Sequence, residues 1–445
     1  MVDPASAPSS RSLESHYDVV IVGGRPAGAS LAACLGAHRI PTLVIDRARF
    51  PSGPAVPSCA FIMPHTMALL DELGIPEDAL GEPGERARRV IVEFEGYFAT
   101  TFRLPELGGR DYFYGIDRDR FDHAFWRNLG RYPSVTACEQ TSFLDVSRDA
   151  SGEVSGVLLR APDGSIREIG ARCVVGADGR FSPVARKVGA KVRESFDLTS
   201  TIHFAVWEGV APHDDHGDVT MCVYTLARGA QTLFIPAPRG RMRVCTHVRS
   251  DRAHTEGTVE DYYLRTIRSL PTAGRRIEGA TRTSEIIGVK RVANRYREPG
   301  GARWVLAGDA LYHKDPLDGQ GIYDALLGTK ILGEELSSWH AGDQSFERAV
   351  ARYEHRVLEQ THPVYEVITK RLERELYGEP PSIVLNTMMR WMMNDPTYKQ
   401  RFLGYLTRTA PAQGWMKPSV MGVAMVRGLL GDLRRLVPPW GRASP

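Results

Sequence analysis

Three constellations of glycines and acids dominate the chemistry this sequence could perform. The first is Gly23-Gly24-Arg25-Pro26-Ala27-Gly28, with Asp46 following 23 residues after Gly23. A glycine turn between strand and helix lets backbone N–H groups approach a pyrophosphate at the helix N-terminus, where unpaired donors and the helix dipole favour anions. A carboxylate closing the next strand is spaced to accept hydrogen bonds from an adenosine ribose. The middle glycine of GxGxxG is Arg25 here, so its side chain must point outward or pair with the phosphate. The second constellation places Asp178-Gly179 directly after an apolar run, with Ser182 and Arg186 at short offsets. The third is Gly308-Asp309-Ala310, then Pro316 and Gly319-Gln320-Gly321. An Asp in that place can accept from a polyol hydroxyl, and the helix start after it can face the electron-rich end of a ring system.

Such residues need rigid supports, and the pattern supplies them. Tyr17–Val22 is an apolar, β-branched run too short for a helix, Ala29–Ala37 a small-residue helix, and Thr42–Ile45 a second strand ending at Asp46. Together they predict a βαβ unit. Buried strands are also predicted at Arg172–Val175 and Arg303–Ala307, and helices at Met63–Leu73, Asp119–Leu129 and about Ile322 to Leu336. Four β-like runs between Ser200 and Val248, divided by Gly217, Gly229 and Gly240, predict a second sheet. The rest, 343–445, reads mostly helical, with a break near Gly378-Glu379-Pro380-Pro381.

Composition narrows the class. The chain has 445 residues, 42% hydrophobic and 24% charged, which suits a globular protein of about three lobes at ~150 residues each. The charge sum of 56 − 53 = +3 excludes the strong positive field that nucleic-acid binding needs. Six cysteines without a CxxC pair neither staple a fold nor make a zinc site, and point to a reducing, cytoplasmic setting. No apolar run reaches the ~18–20 residues of a membrane span, so no integral membrane segment is expected. The first residues, rich in Pro, Ser and Ala, read as a loose tail rather than a signal peptide.

With the three motifs in this order and at these spacings, the chain resembles the para-hydroxybenzoate hydroxylase-like flavoprotein superfamily, whose relatives include flavin halogenases and geranylgeranyl reductases. The resemblance spans Tyr17 to about Leu336. It implies an α/β fold with a Rossmann-like, discontinuous FAD-binding domain over 17–85, 115–195 and 285–340. It also implies an inserted β-sheet substrate domain over 86–114 and 196–284 and a helical region over 341–445, after a flexible tail 1–16. It implies that Gly23, Gly24, Arg25, Pro26, Ala27 and Gly28 wrap the FAD pyrophosphate, that Asp46, with Arg47 beside it, holds the adenosine ribose, and that Arg118 lies near the adenine half. Asp178, Gly179 and Arg186 would serve both FAD and the NADPH or NADH donor. Gly308 and Asp309 match the ribityl site, and Pro316, Gly319, Gln320 and Gly321 the loop over the flavin pyrimidine edge. The motif departs from the usual Gly-Asp-Ala-Ala-His at Leu311 and Tyr312, with His313 displaced by one, and Tyr323 stands where Asn is common.

The chemistry implied first is monooxygenation through a flavin C4a-hydroperoxide, hydroxylating or epoxidising a bulky apolar or aromatic small molecule. Reduction of C=C bonds, as in the geranylgeranyl reductases, is the alternative. Halogenation is disfavoured because Val206-Trp207-Glu208-Gly209-Val210 lacks the Trp-x-Trp-x-Ile-Pro pattern. A flavin-binding protein without catalysis would not show substrate-stimulated NAD(P)H oxidation.

No catalytic base stands out. His313 and Lys314 follow the Gly-Asp motif on a loop running toward the flavin, while His203, Tyr224 and His247 lie on the second sheet and more often would fill core or surface. Cys59, in the loop after Asp46, reads first as a packed thiol. His213-Asp214-Asp215-His216 reads as a solvated loop, and no metal site is expected. Seven of the twelve methionines fall between Met388 and Met425. They predict an apolar seam packed on the FAD lobe, with a lid over a greasy or carrier-protein-bound substrate as the sharper reading. Arg427, Arg434, Arg435 and Arg442 make the end basic, read first as a solvated face. A homodimer remains open.

Overall fold

The computed structural model describes residues 13–53, 58, 60–80, 86–226, 229–253, 257–378 and 383–436. Cys59, Arg442 and most of the N-terminal tail lie outside them. Two large sheets, a two-stranded one and a helical tail make up most of the described residues. The first sheet runs Gly300–Gly301, Trp304–Leu306, Ile166–Gly176, His16–Val22, Thr42–Ile45, Val135–Cys138, and the last five strands are parallel. Thr42–Ile45 is buried at every position, as a parallel strand covered on both faces must be. Helices Pro26–Ala37 and Gly321–His340 pack together there. A Cβ on Gly333 would lie 2.8 Å from the Cys34 Cβ, and the Ser30 and Thr329 hydroxyls meet at 2.7 Å.

The second sheet runs Tyr312–His313, Ile287–Arg297, Val192–Glu208, Arg241–Arg249, Ala230–Ala237, Thr220–Leu226, Arg89–Phe94, Phe98–Arg103. Its outer face is covered by helices Val259–Arg268 and Pro271–Ile277, over a core of Cys222, Tyr224, Phe234, Val244 and Tyr263. The domain limits differ from expectation at two places. Ile287–Arg297 and Tyr312–His313, expected within the FAD segment 285–340, pair in the second sheet, Arg295 with His313 and Tyr296 with Tyr312. The long strand opening that sheet begins at Val192, four residues before the expected boundary at 196. Val192–Glu208 pairs antiparallel with Ile287–Arg297 from one end to the other, with register shifts along the way.

The methionine-rich tail forms helices Ile383–Asn394, Pro396–Leu406 and Pro418–Leu436. Asp395 caps the second of these, accepting from Tyr398 N at 2.9 Å, with Pro396 at the first helical position. The tail meets the FAD lobe through polar contacts and Leu317, while its apolar core lies elsewhere. Its core of Phe402, Tyr405 and Trp415 seats against Val364, Val367 and Ile368 of the long helix Phe346–Leu372 and against Phe102 of the second sheet. Aromatic bulk explains the choice: the Phe102 and Phe402 rings lie 5.4 Å apart.

Candidate functional site

A cavity of about 1200 Å³ lies between the two sheets and the tail. One end of it is the glycine turn. Gly23 has φ +100°, and a Cβ there would sit 2.5 Å from the Ala177 carbonyl oxygen. Gly24 and Gly28 do not line the cavity; each permits a close contact behind it. A Cβ on Gly24 would strike the Trp126 ring at 2.2 Å, and one on Gly28 the Gly23 oxygen at 1.7 Å. Pro26 and Ala27, at the first turn of Pro26–Ala37, line the cavity, and no side chain caps that helix.

Arg25 is held away from the turn. Its Nη1 donates to Asp122 Oδ2 at 2.6 Å and to the Ser52 carbonyl at 3.0 Å, and Nη2 donates to the Gly53 carbonyl at 2.8 Å. Arg118 grips the same fully buried carboxylate at 2.8 and 3.0 Å. The side chain that replaces the middle glycine is therefore tied down by these partners, though Arg25 still borders the cavity. Asp46 accepts from Gly24 N and Ala48 N, both at 2.8 Å, and still borders the cavity, as does Arg47.

The second and third motifs close the groove. Asp178 accepts from Val184 N at 2.9 Å through Oδ2, whereas its buried Oδ1 has no partner. Burial raises its pKa. Gly179, at φ +81°, faces open space, and Arg186 lines the same wall. Asp309 opens into the cavity opposite, with His313 Nδ1 at 3.3 Å. Burial alone would raise the Asp309 pKa, but His313, Lys314 and Arg118 hold it below its ordinary value. Gly308 packs on Ala27, and Gly319 on the Phe61 ring. Gly321 faces open space at the start of Gly321–His340, a second helix N-terminus without a side-chain cap. Gln320 turns away, donating to the Leu406 carbonyl at 3.2 Å. Two uncapped helix ends, an orphaned Asp178 oxygen and a glycine cradle that a Cβ would fill make a groove that fits a dinucleotide carrying a polyol-linked ring.

The tail fixes the loop Pro316–Gly321. Asp318 is gripped by Arg371 and the Tyr405 hydroxyl, and Lys314 and Arg408 both pair with Asp324. Burial, then the Arg408 charge, pushes the Lys314 pKa down to about 7.

Of the second-sheet candidates, His203 and Tyr224 do not reach the cavity. Ile202, Phe204, Met221, Val223 and Thr225 line it, so the alternating positions 203, 222 and 224 point to the outer face. Tyr224 is tied to His213 Nδ1 at 2.8 Å and Arg276 Nη1 at 3.0 Å under the outer helices, and His203 meets the Tyr262 ring. His247 does line the cavity. Its Nε2 lies 3.1 Å from Asp315 Oδ1, both residues being buried. Asp315 takes the Ser200 hydroxyl on Oδ2, and its own N–H bonds Asn294 Oδ1 at 2.6 Å. Burial would raise Asp315, but His247 and Ser200 hold it below its ordinary value. Sequence reading passed over Asp315, although it directly precedes Pro316 in the third motif. In the His213–His216 loop, Asp214 is spent on Arg89.

Beyond the groove the walls are mostly apolar, with Thr225, Gln231, His247, Arg371 and Glu375 among them. Ile202, Phe204, Leu233 and Val289 come from the second sheet, and Met389, Met392, Met393, Phe402 and Trp415 from the tail.

Residues 16–363 match the FAD binding domain family. The chain is 27% identical over 379 residues to digeranylgeranylglycerophospholipid reductase 2 of Methanothermobacter thermautotrophicus, covering 81% of this chain and 86% of that protein. It is 27% identical over 358 residues to the ubiquinone hydroxylase UbiL of Rhodospirillum rubrum, covering 75% and 76%. The flavin-dependent brominase Bmp2 shares the fold, with a TM-score of 0.75 at 19% identity over 95% of this chain and 100% of that one. A reductase and a hydroxylase are thus similar to this chain in sequence, and a brominase shares its fold.

Proposed function

The chain belongs to the FAD binding domain family, and from that premise we propose that it reduces carbon–carbon double bonds of a bulky, largely apolar molecule, with NADPH or NADH as electron donor. The observation that carries this reading is the largely apolar wall of sheet and methionine side chains beyond the nucleotide groove. The length of the match to the lipid reductase supports it further. FAD, when bound, supplies hydride transfer.

This chain's residues do the rest. The first turn at Pro26 and Ala27 receives the pyrophosphate, Asp46 and Arg47 the adenosine ribose, and Arg118 borders the adenine half. Asp178, Gly179 and Arg186 flank the groove where the nicotinamide donor and FAD meet. Asp309 accepts from the ribityl chain, and Pro316, Gly319 and Gly321 cover the pyrimidine edge with the open helix end behind them. The walls exclude water and orient an apolar chain by shape. His247 carries the proton that reduction of a double bond also requires. Asp315 Oδ1, 3.1 Å from Nε2, holds the ring by charge.

Purified enzyme, reduced by NAD(P)H without oxygen and given a polyprenyl olefin, is expected to yield product heavier by two hydrogens. His247→Gln should slow that step about 100-fold while leaving flavin reduction by NAD(P)H unchanged. Oxygen transfer to the same class of molecule is the second reading, favoured by the match to UbiL. Product heavier by one oxygen atom, formed only in air, would replace the first reading with the second.

A further inference from the structure

The last helix, Pro418–Leu436, carries an apolar face that nothing among the described residues covers. Val423, Val426, Leu429, Leu430 and Leu433 are each between 45% and 59% exposed. At 100° per residue they fall within an arc of about 120°. The opposite side of the helix is occupied: Gly428 lets the Trp391 ring approach, and Asp432 accepts from Trp391 Nε1 at 2.8 Å and from Arg390. The neighbouring helix Ile383–Asn394 begins with Ile383, Val384 and Leu385, exposed by 77%, 69% and 46%. Leu385 also lines the cavity, and Met389, Met392 and Met393 continue from it inward. The exposed face and the cavity wall are thus two sides of one helical pair.

Charge favours one occupant. From Lys417 to the end, the sequence holds Lys417, Arg427, Arg434, Arg435 and Arg442 against a single acid, Asp432, and Asp432 is already paired inward. Arg434 flanks one edge of the apolar arc, beside Arg427, which is exposed but paired with Asp395. Five large apolar side chains with cations along one edge suit the boundary between acyl chains and anionic headgroups. An acidic carrier protein would match the charge but leave the apolar arc without a counterpart. No helix among the described residues is long and apolar enough to cross a membrane, so the helix would lie in the interface.

We infer that this helical pair docks on an anionic lipid bilayer, with Leu385 at a portal through which an apolar substrate passes from the acyl region into the cavity. The portal half of the inference rests on the proposed apolar substrate; the docking half does not.

The test is flotation of FAD-loaded protein with vesicles of phosphatidylcholine alone and with about one third phosphatidylglycerol. Wild type is expected to float with the anionic vesicles and to be released by high salt. Arg434→Gln should weaken that binding about fivefold. Val426→Glu with Leu430→Glu should abolish it while keeping flavin content and melting temperature. Failure of wild type to float would overturn the inference, as would flotation that survives the double glutamate variant. A dimer in solution that the same variant dissociates, without vesicle binding, would assign the face to a second copy and overturn it too. Carrier-protein binding without flotation would do the same. None of these readouts uses turnover, so olefin reduction in detergent by a protein that ignores vesicles would refute docking and leave the proposed reaction standing.

Discussion

Arg25 is the sharpest departure from the dinucleotide fingerprint, and its orientation gives a quantitative prediction. The guanidinium is 22% exposed and bound to Asp122, which is fully buried. A charge-assisted hydrogen bond of this kind contributes about 1.5–3 kcal/mol, and partial exposure of the arginine places this one near about 2 kcal/mol. Arg25→Gln and Asp122→Asn, alone and together, form a double-mutant cycle measured by urea unfolding of the flavin-free protein. The expected coupling is about 2 kcal/mol. Asp122→Asn alone should cost more than Arg25→Gln alone, because Arg118 also loses its partner. FAD affinity of Arg25→Gln, followed by flavin fluorescence, should stay within about threefold of wild type, since in the proposed placement the helix N-terminus and not the side chain would meet the phosphate. A coupling below about 0.5 kcal/mol would place the pair among weak surface contacts. A tenfold or larger loss of FAD affinity would put the guanidinium on the phosphate. Either result refutes the reasoning.

Other outcomes follow from single contacts. Gly24→Ala drives a methyl into the Trp126 ring, which itself stacks on Phe50 at 4.9 Å, so the purified protein should carry little flavin and lose about 2 kcal/mol or more of stability. Burial, then Arg408, lowers the His65 pKa from 6.5 to about 3. The unfolded chain therefore binds a proton that the folded one refuses, and stability should fall by up to about 1.4 kcal/mol per unit as pH drops from about 6.5 to about 3. His65→Phe should flatten that limb of the denaturation profile, and an unchanged limb would remove His65 as its cause. Met393→Glu should raise KM for a long apolar olefin about tenfold or more with the flavin spectrum intact, and equal effects on long and short olefins would argue against a chain lying along the tail.

The βαβ unit was legible because its contacts are local: Gly23, Gly28 and Asp46 sit within it, where spacing alone fixes geometry. The substrate side was not. His203 and Tyr224 were candidates because both faces of the second sheet are buried, one by the cavity and one by the helices over Tyr263, so apolar alternation carries no direction. His247 and Asp315 meet only after Arg241–Arg249 and the loop beyond Tyr312–His313 are brought together through two intervening strands. No local pattern encodes that pairing. The methionine tail was read as helical correctly, but its partner was set by Phe102, Phe402 and Trp415 packing across the chain, which periodicity does not reveal.

The two residues Tyr312 and His313 leave the Gly-Asp turn of one sheet and at once become an edge strand of the other. The backbone that borders the cofactor groove is therefore also the weld between lobes. A hinge at this point would break ladder hydrogen bonds and separate the Tyr312 and Tyr296 rings, which stack at 4.7 Å. Heat should consequently melt both lobes in one transition, and saturation with FAD should raise the melting point of the substrate lobe as much as that of its own.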